Sequence, residues 1–523
     1  MNCQCCGCRS FPRIDRRDFL SGCVGCAAAA MTGGSLLARG AAAGPPAPSR
    51  KPKVRLVFCE VRNDQPIWPN IGYDFEGRRA ELTRALNQGC PGVQFLPEIV
   101  QTKEQTQALL ARDDEVDGYL VYVLGLSWQG NPRTICSSGK PALLVDNLYG
   151  GSGEFITQYP AVHGAGKPVD WVSSSRLEDV IESARCFALL GREGKTAEDF
   201  IAACRAVRHG NTRKPDDLIC KQDPVHVTDI DEALRRLRET RILVVGGGWG
   251  GDAFRKSTAD LLGLTLVPIG FPEMSEAYER ADVEKGKEIA DQWIRNAKEV
   301  VEPDRAEIEK SGRMYIAMKD LMRRHDAHGI SINCLGGFYG GHIGAYPCLG
   351  FSQLNSDGLI GGCEADQRSA LTMMAGTALF GRPGYISDPV IDTAKYQVIY
   401  AHCVAMTRVF GPDGSSNPYR IRDHSEDRKG AALQSLMPIG YMTTTVEIDP
   451  PSKTMLMHQG RSAENIDNDM ACRTKLAVEL KGDIDKLVSN WSMGWHRVTF
   501  YGDLRDPLLA FAERAGLKVV EEA

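Results

Sequence analysis

Apolar stretches alternate with amphipathic segments along most of the chain, and this alternation predicts an α/β fold. Short buried-type strands such as 119–123 are separated by helical patterns such as 76–86. Strands that are spaced by helices form doubly wound parallel sheets. The pattern pauses after a charged helix near residue 238 and then restarts. It therefore predicts two parallel-sheet domains, 53–238 and 239–385.

The pattern changes after residue 385, where strands follow one another with few helices between them. The predicted strands are 395–403, 441–448, 454–458, 475–480 and 497–501. Polar, turn-rich segments join them, and 411–430 reads as a long loop. The pattern over residues 386–523 therefore predicts a β-rich, barrel-like C-terminal domain.

Two acidic residues stand where predicted strands end, with one helix between them. The apolar stretch 358–363 runs into Glu364, the helix is predicted over 367–380, and the short strand 384–386 delivers Asp388. A strand–helix–strand unit makes parallel neighbours, so both carboxylates are expected at the same carboxyl edge of one sheet. Such a pair binds a hard divalent cation or shares acid–base work. A helix cap and a turn residue are the alternatives.

Composition excludes some classes of function. The chain has 523 residues and a net charge of −5, which argues against a nucleic-acid binder. No stretch after the N-terminal leader approaches the ~20 apolar residues that a membrane span needs. A length of about 480 residues without the leader suggests about three domains.

The N-terminus matches a twin-arginine signal peptide over 1–43, followed by a Pro/Ala linker at 44–52. The motif is Arg16-Arg17-Asp18-Phe19-Leu20. We therefore expect export to the periplasm or outside the cell. Six of the 17 cysteines fall in this leader, where a metal cluster or a lipid anchor is the less favoured interpretation. The other eleven are scattered and are expected to be buried thiols.

Two further motifs are ambiguous. Gly246 to Gly251 satisfies the G-x-G-x-x-G pattern of nicotinamide enzymes, but no acidic residue follows the next strand to hold a ribose. A glycine-rich strand–helix turn is therefore the favoured interpretation. His496 and His402 are candidate ligands, although a single histidine is more often simply packed or hydrogen-bonded.

The segment Gly361-Gly362-Cys363-Glu364-Ala365-Asp366, with the helix, Gly381-Arg382-Pro383 and Asp388 after it, resembles the L-fucose isomerase and L-arabinose isomerase superfamily. The resemblance implies that Glu364 and Asp388 bind a divalent metal, Mn²⁺ in this family, and move protons. It also implies His496 as the third protein ligand, since it follows Asn490-Trp491. The leader and the segments 405–430 and 458–461 depart from the family.

The resemblance implies a metal-dependent aldose–ketose isomerase that acts on a monosaccharide through a metal-stabilised enediolate. It also implies a homo-oligomer, a trimer or a hexamer. The expected pocket residues are Phe338, Tyr346, His402, Trp491 and Trp495. An epimerase or lyase on the same fold, or a non-catalytic exported sugar-binding relative, is the alternative.

Overall fold

The structure is a computed structural model, and it describes residues 50–214 and 217–523. The predicted signal peptide 1–43 and most of the linker 44–52 lie outside the described residues. Within the described part of the chain, no helix is long and apolar enough to cross a membrane.

Five parallel strands form the first sheet, in the order β2–β1–β3–β4–β5. The strands are β1 (Lys53–Cys59), β2 (Gln94–Val100), β3 (Gly118–Val123), β4 (Ala142–Asp146) and β5 (Val169–Val172). The helices are α1 (Phe75–Gly89), α2 (Lys103–Leu110), α3 (Asn131–Cys136), α4 (Ser152–Gly164), α5 (Leu177–Arg185) and α6 (Ala197–Asn211), with 3₁₀ turns at Asp113–Glu115 and Cys186–Gly191. β3 is buried at every position, as expected for a central parallel strand that is covered on both faces.

Four parallel strands form the second sheet, in the order β10–β9–β6–β7. The strands are β6 (Arg241–Val245), β7 (Thr265–Ile269), β9 (Gly329–Ile332) and β10 (Ile360–Gly362). The helices are α7 (Ile230–Arg238), α8 (Gly251–Leu262), α9 (Phe271–Arg280), α10 (Val283–Asn296), α11 (Arg305–Arg324), α12 (Cys334–Tyr339), α13 (Cys348–Ser356) and α14 (Gln367–Phe380).

Six antiparallel strands form a barrel in the C-terminal part. Their order is β15–β18–β11–β12–β17–β16, and pairing of β15 with β16 closes the ring. The strands are β11 (Tyr385–Asp392), β12 (Gln397–His402), β15 (Met442–Asp449), β16 (Thr454–Asn465), β17 (Thr474–Lys481) and β18 (Arg497–Tyr501). Helices α15 (Ile484–Asn490) and α16 (Arg505–Ala515) follow β17 and β18, and β19 (Lys518–Glu521) pairs with β16 in parallel.

The predicted fold class is confirmed: two parallel-sheet regions are followed by a β-barrel. The predicted domain boundaries stay predictions. One hydrophobic core joins the second sheet to the barrel and contains Ile330, Met373 and Phe500. Another joins the first sheet to the barrel and contains Phe155 and Val478. The barrel is therefore packed against both sheets.

The prediction that Glu364 and Asp388 end neighbouring strands of one sheet is wrong. β10 is an edge strand of the second sheet and pairs with β9. β11 belongs to the barrel, where it pairs with β12 and β18. Asp388 lies inside β11, opposite Ala401. The physical reason is that β11 and β12 are joined by a short turn, so their antiparallel pairing is local and closes at little entropic cost.

The predicted loop 411–430 is wrong in part, because it contains strand structure. β13 (Tyr419–His424) and β14 (Lys429–Ser435) form a hairpin, and β13 also pairs with the two-residue strand β8 (Glu299–Val300). Charged side chains at Arg420 and Arg422 alternate with the buried Ile421. The ion pair of Arg422 with Glu302 joins this hairpin to the second α/β region, so distant contacts stabilise strands whose composition resembles a loop.

Candidate metal and active site

Glu364 lies just beyond β10, in a tight turn that leads into α14. Glu364 and Ala365 both have positive φ angles, 59° and 50°, and this left-handed conformation is uncommon for residues other than glycine. The N–H of Ala365 donates to the carbonyl of Ile332 at 2.9 Å, which ties the turn to β9. The backbone that carries Glu364 is therefore strained and held in place, as is common at functional sites.

The structure brings Glu364, Asp388 and His496 together, although they lie on three different elements. Nε2 of His496, just before β18, lies 3.0 Å from Oδ1 of Asp388 and 3.6 Å from Oε2 of Glu364. Asp388 is almost completely buried, with 3% of its surface exposed. Two carboxylates and one imidazole thus face a common point.

Asp366 fixes the orientation of the His496 ring. Its Oδ2 lies 2.8 Å from Nδ1 of His496, and an ionised carboxylate can only accept a hydrogen bond. In the neutral ring, Nδ1 therefore carries the proton and Nε2 presents its lone pair to Asp388 and Glu364. A carboxylate behind a histidine is the arrangement by which proteins orient metal-binding imidazoles.

The charged groups of this cluster shift one another's pKa values. Burial raises the pKa of Glu364 to about 7, and the charge of Asp388 adds to that shift. Burial opposes protonation of His496, but Asp388, Asp366 and Glu364 together raise its pKa well above the ordinary value. Despite burial, the hydrogen bond and charge of His496 hold the pKa of Asp366 far below its usual range. The carboxylates of Glu364, Asp366 and Asp388 thus lie around the one imidazole of His496.

A divalent cation fits these donors. Among the described residues, the buried Oδ1 of Asp388 has no properly aligned hydrogen-bond partner, even though Nε2 of His496 is 3.0 Å away. When Nε2 of His496 carries no proton, this nitrogen and Oδ1 of Asp388 are both acceptors and can bind the same cation. Carboxylate oxygens and an imidazole nitrogen together suit a metal such as Mn²⁺.

His402, at the end of β12, lies beside this cluster. Potential ligand atoms of Asp388, His402 and His496 fall within 4.8 Å of one another, as do those of Cys363, Glu364 and His402. However, Nδ1 of His402 already accepts the backbone N–H of Cys403 at 3.0 Å, and burial lowers its pKa to about 4. The ring is therefore neutral with its proton on Nε2, which makes Nε2 a donor and not a ligand atom.

Phe338 and Tyr346 stack on each other with ring centroids 4.3 Å apart. Both rings also contact His424, at centroid distances of 5.2 and 5.6 Å. The Tyr346 hydroxyl donates to Asp427. These two predicted pocket residues thus form an aromatic wall beside the turn of the β13–β14 hairpin.

The two predicted pocket tryptophans have different surroundings. Trp495, next to His496, donates from Nε1 to the carbonyl of Pro389 at 3.0 Å and packs against Trp68 and the half-exposed Trp128. Trp491 is buried, and the guanidinium of Arg497 lies 3.9 Å above its ring. Trp495 therefore lies in the neighbourhood of the cluster, whereas Trp491 makes core contacts.

Sequence reasoning missed three polar residues in the hairpin turn: His424, Glu426 and Asp427. Nδ1 of His424 lies 3.0 Å from Oδ1 of Asp427, and the Tyr339 hydroxyl donates to Glu426 at 3.2 Å. Burial raises the pKa of Glu426 to about 8, and the charge of nearby Glu364 acts in the same direction. The sequence feature that could have indicated these residues is the polar run His-Ser-Glu-Asp at 424–427, within a segment that reads as a loop.

The glycine-rich motif 246–251 supports the Glu364 turn. It connects β6 to α8, and a Cβ on Gly248 would lie 2.8 Å from the carbonyl oxygen of Ala365. The amide of Gln367 donates to the carbonyl of Trp249 at 2.7 Å. The motif thus packs directly on the residues that follow Glu364, in agreement with the favoured interpretation as a strand–helix turn.

The amino-acid sequence is similar to those of two bacterial sulfoquinovose isomerases. A sulfoquinovose isomerase of Clostridium sp. (strain MSTE9) is 26% identical over 302 residues, which cover 55% of this chain and 66% of that protein. The chain is similar to sugar isomerases. A sulfoquinovose isomerase of Priestia aryabhattai is 24% identical over 319 residues, 58% of this chain and 69% of that protein. The match to the Clostridium protein thus spans slightly less than two thirds of its length.

These relatives support a sugar isomerase superfamily for the chain. No family model matches the sequence. A periplasmic solute-binding protein of an ABC transporter from Actinobacillus succinogenes 130z with bound D-allose aligns over 56% of this chain and 83% of its own, with 9% identity and a TM-score of 0.16. A TM-score this low carries no information on fold or function.

Proposed function

We propose that this chain is a metal-dependent aldose–ketose isomerase of the L-fucose isomerase type, acting on a monosaccharide. The observation that carries the proposal is the convergence of Glu364, Asp388 and His496, with Nε2 of His496 3.0 and 3.6 Å from the two carboxylates. The named sulfoquinovose isomerases support isomerase chemistry.

We propose that Glu364, Asp388 and His496 hold the metal and that this metal is Mn²⁺. When bound, such a cation polarises the sugar carbonyl and offsets the negative charge that develops on the two neighbouring oxygens. Asp366 keeps Nε2 of His496 available as a ligand, because its carboxylate accepts a hydrogen bond from Nδ1–H and so holds the proton on that nitrogen. The near-complete burial of Asp388 keeps bulk water away from this carboxylate ligand.

The two carboxylates also supply the acid–base groups of an isomerisation. The reaction moves one proton between C1 and C2 of the open-chain sugar and another between their oxygens. Carboxylates at Glu364 and Asp388 can accept and return these protons if the two carbons lie between them. Nε2–H of His402, 3.9 Å from Oδ2 of Asp388 and without an aligned partner among the described residues, can donate to a sugar oxygen.

Aromatic rings are proposed to form the walls of the sugar site. Phe338 and Tyr346 lie on the side of the hairpin turn, and Trp495 lies on the side of His496. Flat aromatic faces pack against the C–H groups of a sugar and exclude water from the reacting carbons.

The assay is ketose formation from sulfoquinovose, L-fucose and L-arabinose, followed by NMR before and after treatment with a chelator. Ketose is expected only with metal present, and elemental analysis should find manganese in active protein. Glu364→Gln should reduce the rate by about 10³-fold or more, whereas the exposed Glu193→Gln should leave it unchanged.

Other results of this assay would favour a different function. Epimerised or dehydrated products would favour the epimerase or lyase alternative. Binding of a sugar without conversion by metal-loaded protein would favour a sugar-binding relative. Undiminished isomerisation by Glu364→Gln would refute the assignment of Glu364.

We also propose export by the twin-arginine pathway and a homo-oligomer, a trimer or hexamer. Export rests on Arg16-Arg17 and the small-residue run that follows them. Replacing both arginines with lysine should retain the protein in the cytoplasm, as cell fractionation would show. Light scattering on the purified protein measures the oligomeric state, and a monomeric mass would refute the second proposal.

A further inference from the structure

Two thiols contact each other next to the turn that carries Glu364. Sγ of Cys334 and Sγ of Cys363 are 3.2 Å apart, and both side chains are buried, with 1% and 4% of their surface exposed. Cys334 begins α12 after β9, and Cys363 follows β10. The pair therefore joins the carboxyl ends of two neighbouring parallel strands.

The pair is tied to the site by the chain itself. Cys363 immediately precedes Glu364, and its sulfur lies within 4.8 Å of ligand atoms of Glu364 and His402. The next two residues have positive φ, so the turn depends on its anchor points to keep its conformation. One anchor is the hydrogen bond from Ala365 to Ile332, and Cys363 lies at the other end of the turn.

We propose that Cys334 and Cys363 form a disulfide that locks the Glu364 turn. A disulfide has an S–S length of about 2.0 Å, so the sulfurs need to approach by about 1.2 Å from their present 3.2 Å. Rotation about the χ1 bonds of the two cysteines can move their sulfur atoms by this distance.

The oxidant is a small-molecule disulfide, R–S–S–R. One cysteine thiolate attacks it, which forms a mixed disulfide and releases one R–S⁻. The second cysteine thiolate then attacks the protein sulfur of the mixed disulfide and releases the second R–S⁻. The two cysteines lose two protons and two electrons in total, and the oxidant becomes two R–SH molecules.

The bond closes a loop between residues 29 positions apart. Cross-linking a loop of this size restricts the unfolded chain and raises the melting temperature by roughly 2–4 °C for a protein of this length. The oxidised protein should also bind Mn²⁺ at least as tightly as the reduced protein, because the turn that carries Glu364 is held and not displaced.

The test uses the full chain with 2-hydroxyethyl disulfide as the oxidant. Folded protein is treated directly, and a second sample is refolded in a buffer of oxidised and reduced 2-mercaptoethanol, since both thiols are buried. Peptide mapping should show a 334–363 disulfide, and the melting temperature should rise and then fall again after reduction. Cys334→Ser should remove both effects.

The control is the variant Cys186→Ser/Cys204→Ser, which alters another buried pair of neighbouring thiols. It should retain the 334–363 bond and its effect on melting. Absence of that bond in both samples would overturn the proposal. So would a bond that leaves the melting temperature unchanged or weakens Mn²⁺ binding. The disulfide and the melting temperature are measured without metal or sugar, so these two readouts test the inference separately from the proposed function, whereas the Mn²⁺ comparison rests on it.

Discussion

Oδ2 of Asp366 lies 2.8 Å from Nδ1 of His496, two residues that are 130 positions apart in the sequence. The other oxygen of Asp366 accepts the N–H groups of Arg368 and Ser369 at 2.9 and 3.1 Å. One carboxylate therefore caps α14 and orients the histidine. Through it, the start of a helix in the second α/β region sets the geometry of a barrel residue.

Asp366→Asn separates these two roles. Asparagine is as good a helix N-cap as aspartate, so the melting temperature should change little. The charge behind His496 is lost, and Mn²⁺ affinity should fall about 10- to 100-fold. Isothermal titration calorimetry measures that affinity. Asp366→Ala, which removes the cap as well, should show the same loss of affinity together with lower stability. An unchanged affinity in the asparagine variant would show that Asp366 only caps the helix.

His402→Phe should lower kcat about 100-fold while the metal content stays unchanged, because the geometry makes Nε2 of His402 a donor and not a ligand atom. Elemental analysis and steady-state kinetics of the same preparation separate the two effects. His496→Phe is the contrasting variant, and it should lose the metal. If His402→Phe also lost its metal, the assigned tautomer would be wrong.

Local signals in the sequence were sufficient for much of the second α/β region. The sequence predicts a helix over 367–380, and α14 is found at Gln367–Phe380, because the residues that end the helix lie next to it in the sequence. Asp366 caps the first turn, and Gly381 adopts a φ of 63° at the C-cap. The turn that follows β10 and places Glu364 is part of the same local unit.

The position of Asp388 could not be derived in the same way. The sequence shows an apolar strand after a helix, and this pattern does not distinguish a further strand of the parallel sheet from the first strand of a new barrel. The choice depends on pairing with β18, which lies more than 100 residues further along the chain. The His424–Asp427 turn was missed for a related reason, since β13 depends on ion pairs with distant acids such as Glu302.

Gly248→Ala tests whether the glycine-rich motif supports the site. The added Cβ would lie 2.8 Å from the carbonyl oxygen of Ala365, which is backbone and cannot move freely. The Glu364 turn should shift, and Mn²⁺ affinity should fall about tenfold. Gly210→Ala in α6 is the matched control, because its Cβ would have no described atom within 4 Å apart from its chain neighbours and the backbone of its own helix. Equal affinities for the two variants would mean that the motif does not position Glu364.

The same motif also matches the pattern of nicotinamide enzymes. A titration of the unmodified protein with NAD⁺ should show no binding.

A buried ion pair near the C-terminus should govern stability at low pH. Glu522 is fully buried, with Arg497 at 2.6 Å and Nδ1 of His458 at 3.0 Å. Burial raises its pKa, but the charge of Arg497 and the contact with His458 outweigh that effect and lower the pKa to about 2. Since the folded-state pKa lies below the unfolded value, the stabilisation is complete above about pH 4.5. It should be lost as the pH falls from there towards 2.

Glu522→Gln leaves the charge of Arg497 buried without its partner, and it should lower the free energy of unfolding by about 3 kcal/mol at neutral pH. The neighbouring Glu521 pairs with Arg505 at 2.5 Å but is exposed, so Glu521→Gln should cost less than about 1 kcal/mol. Urea unfolding at pH 7 and at pH 3 measures both variants. The difference between Glu522→Gln and the unmodified chain should shrink at pH 3, because Glu522 binds a proton in the unfolded chain at that pH while it stays mostly ionised in the folded protein. A difference that stays constant between the two pH values would show that packing, and not the ion pair, accounts for the effect of Glu522.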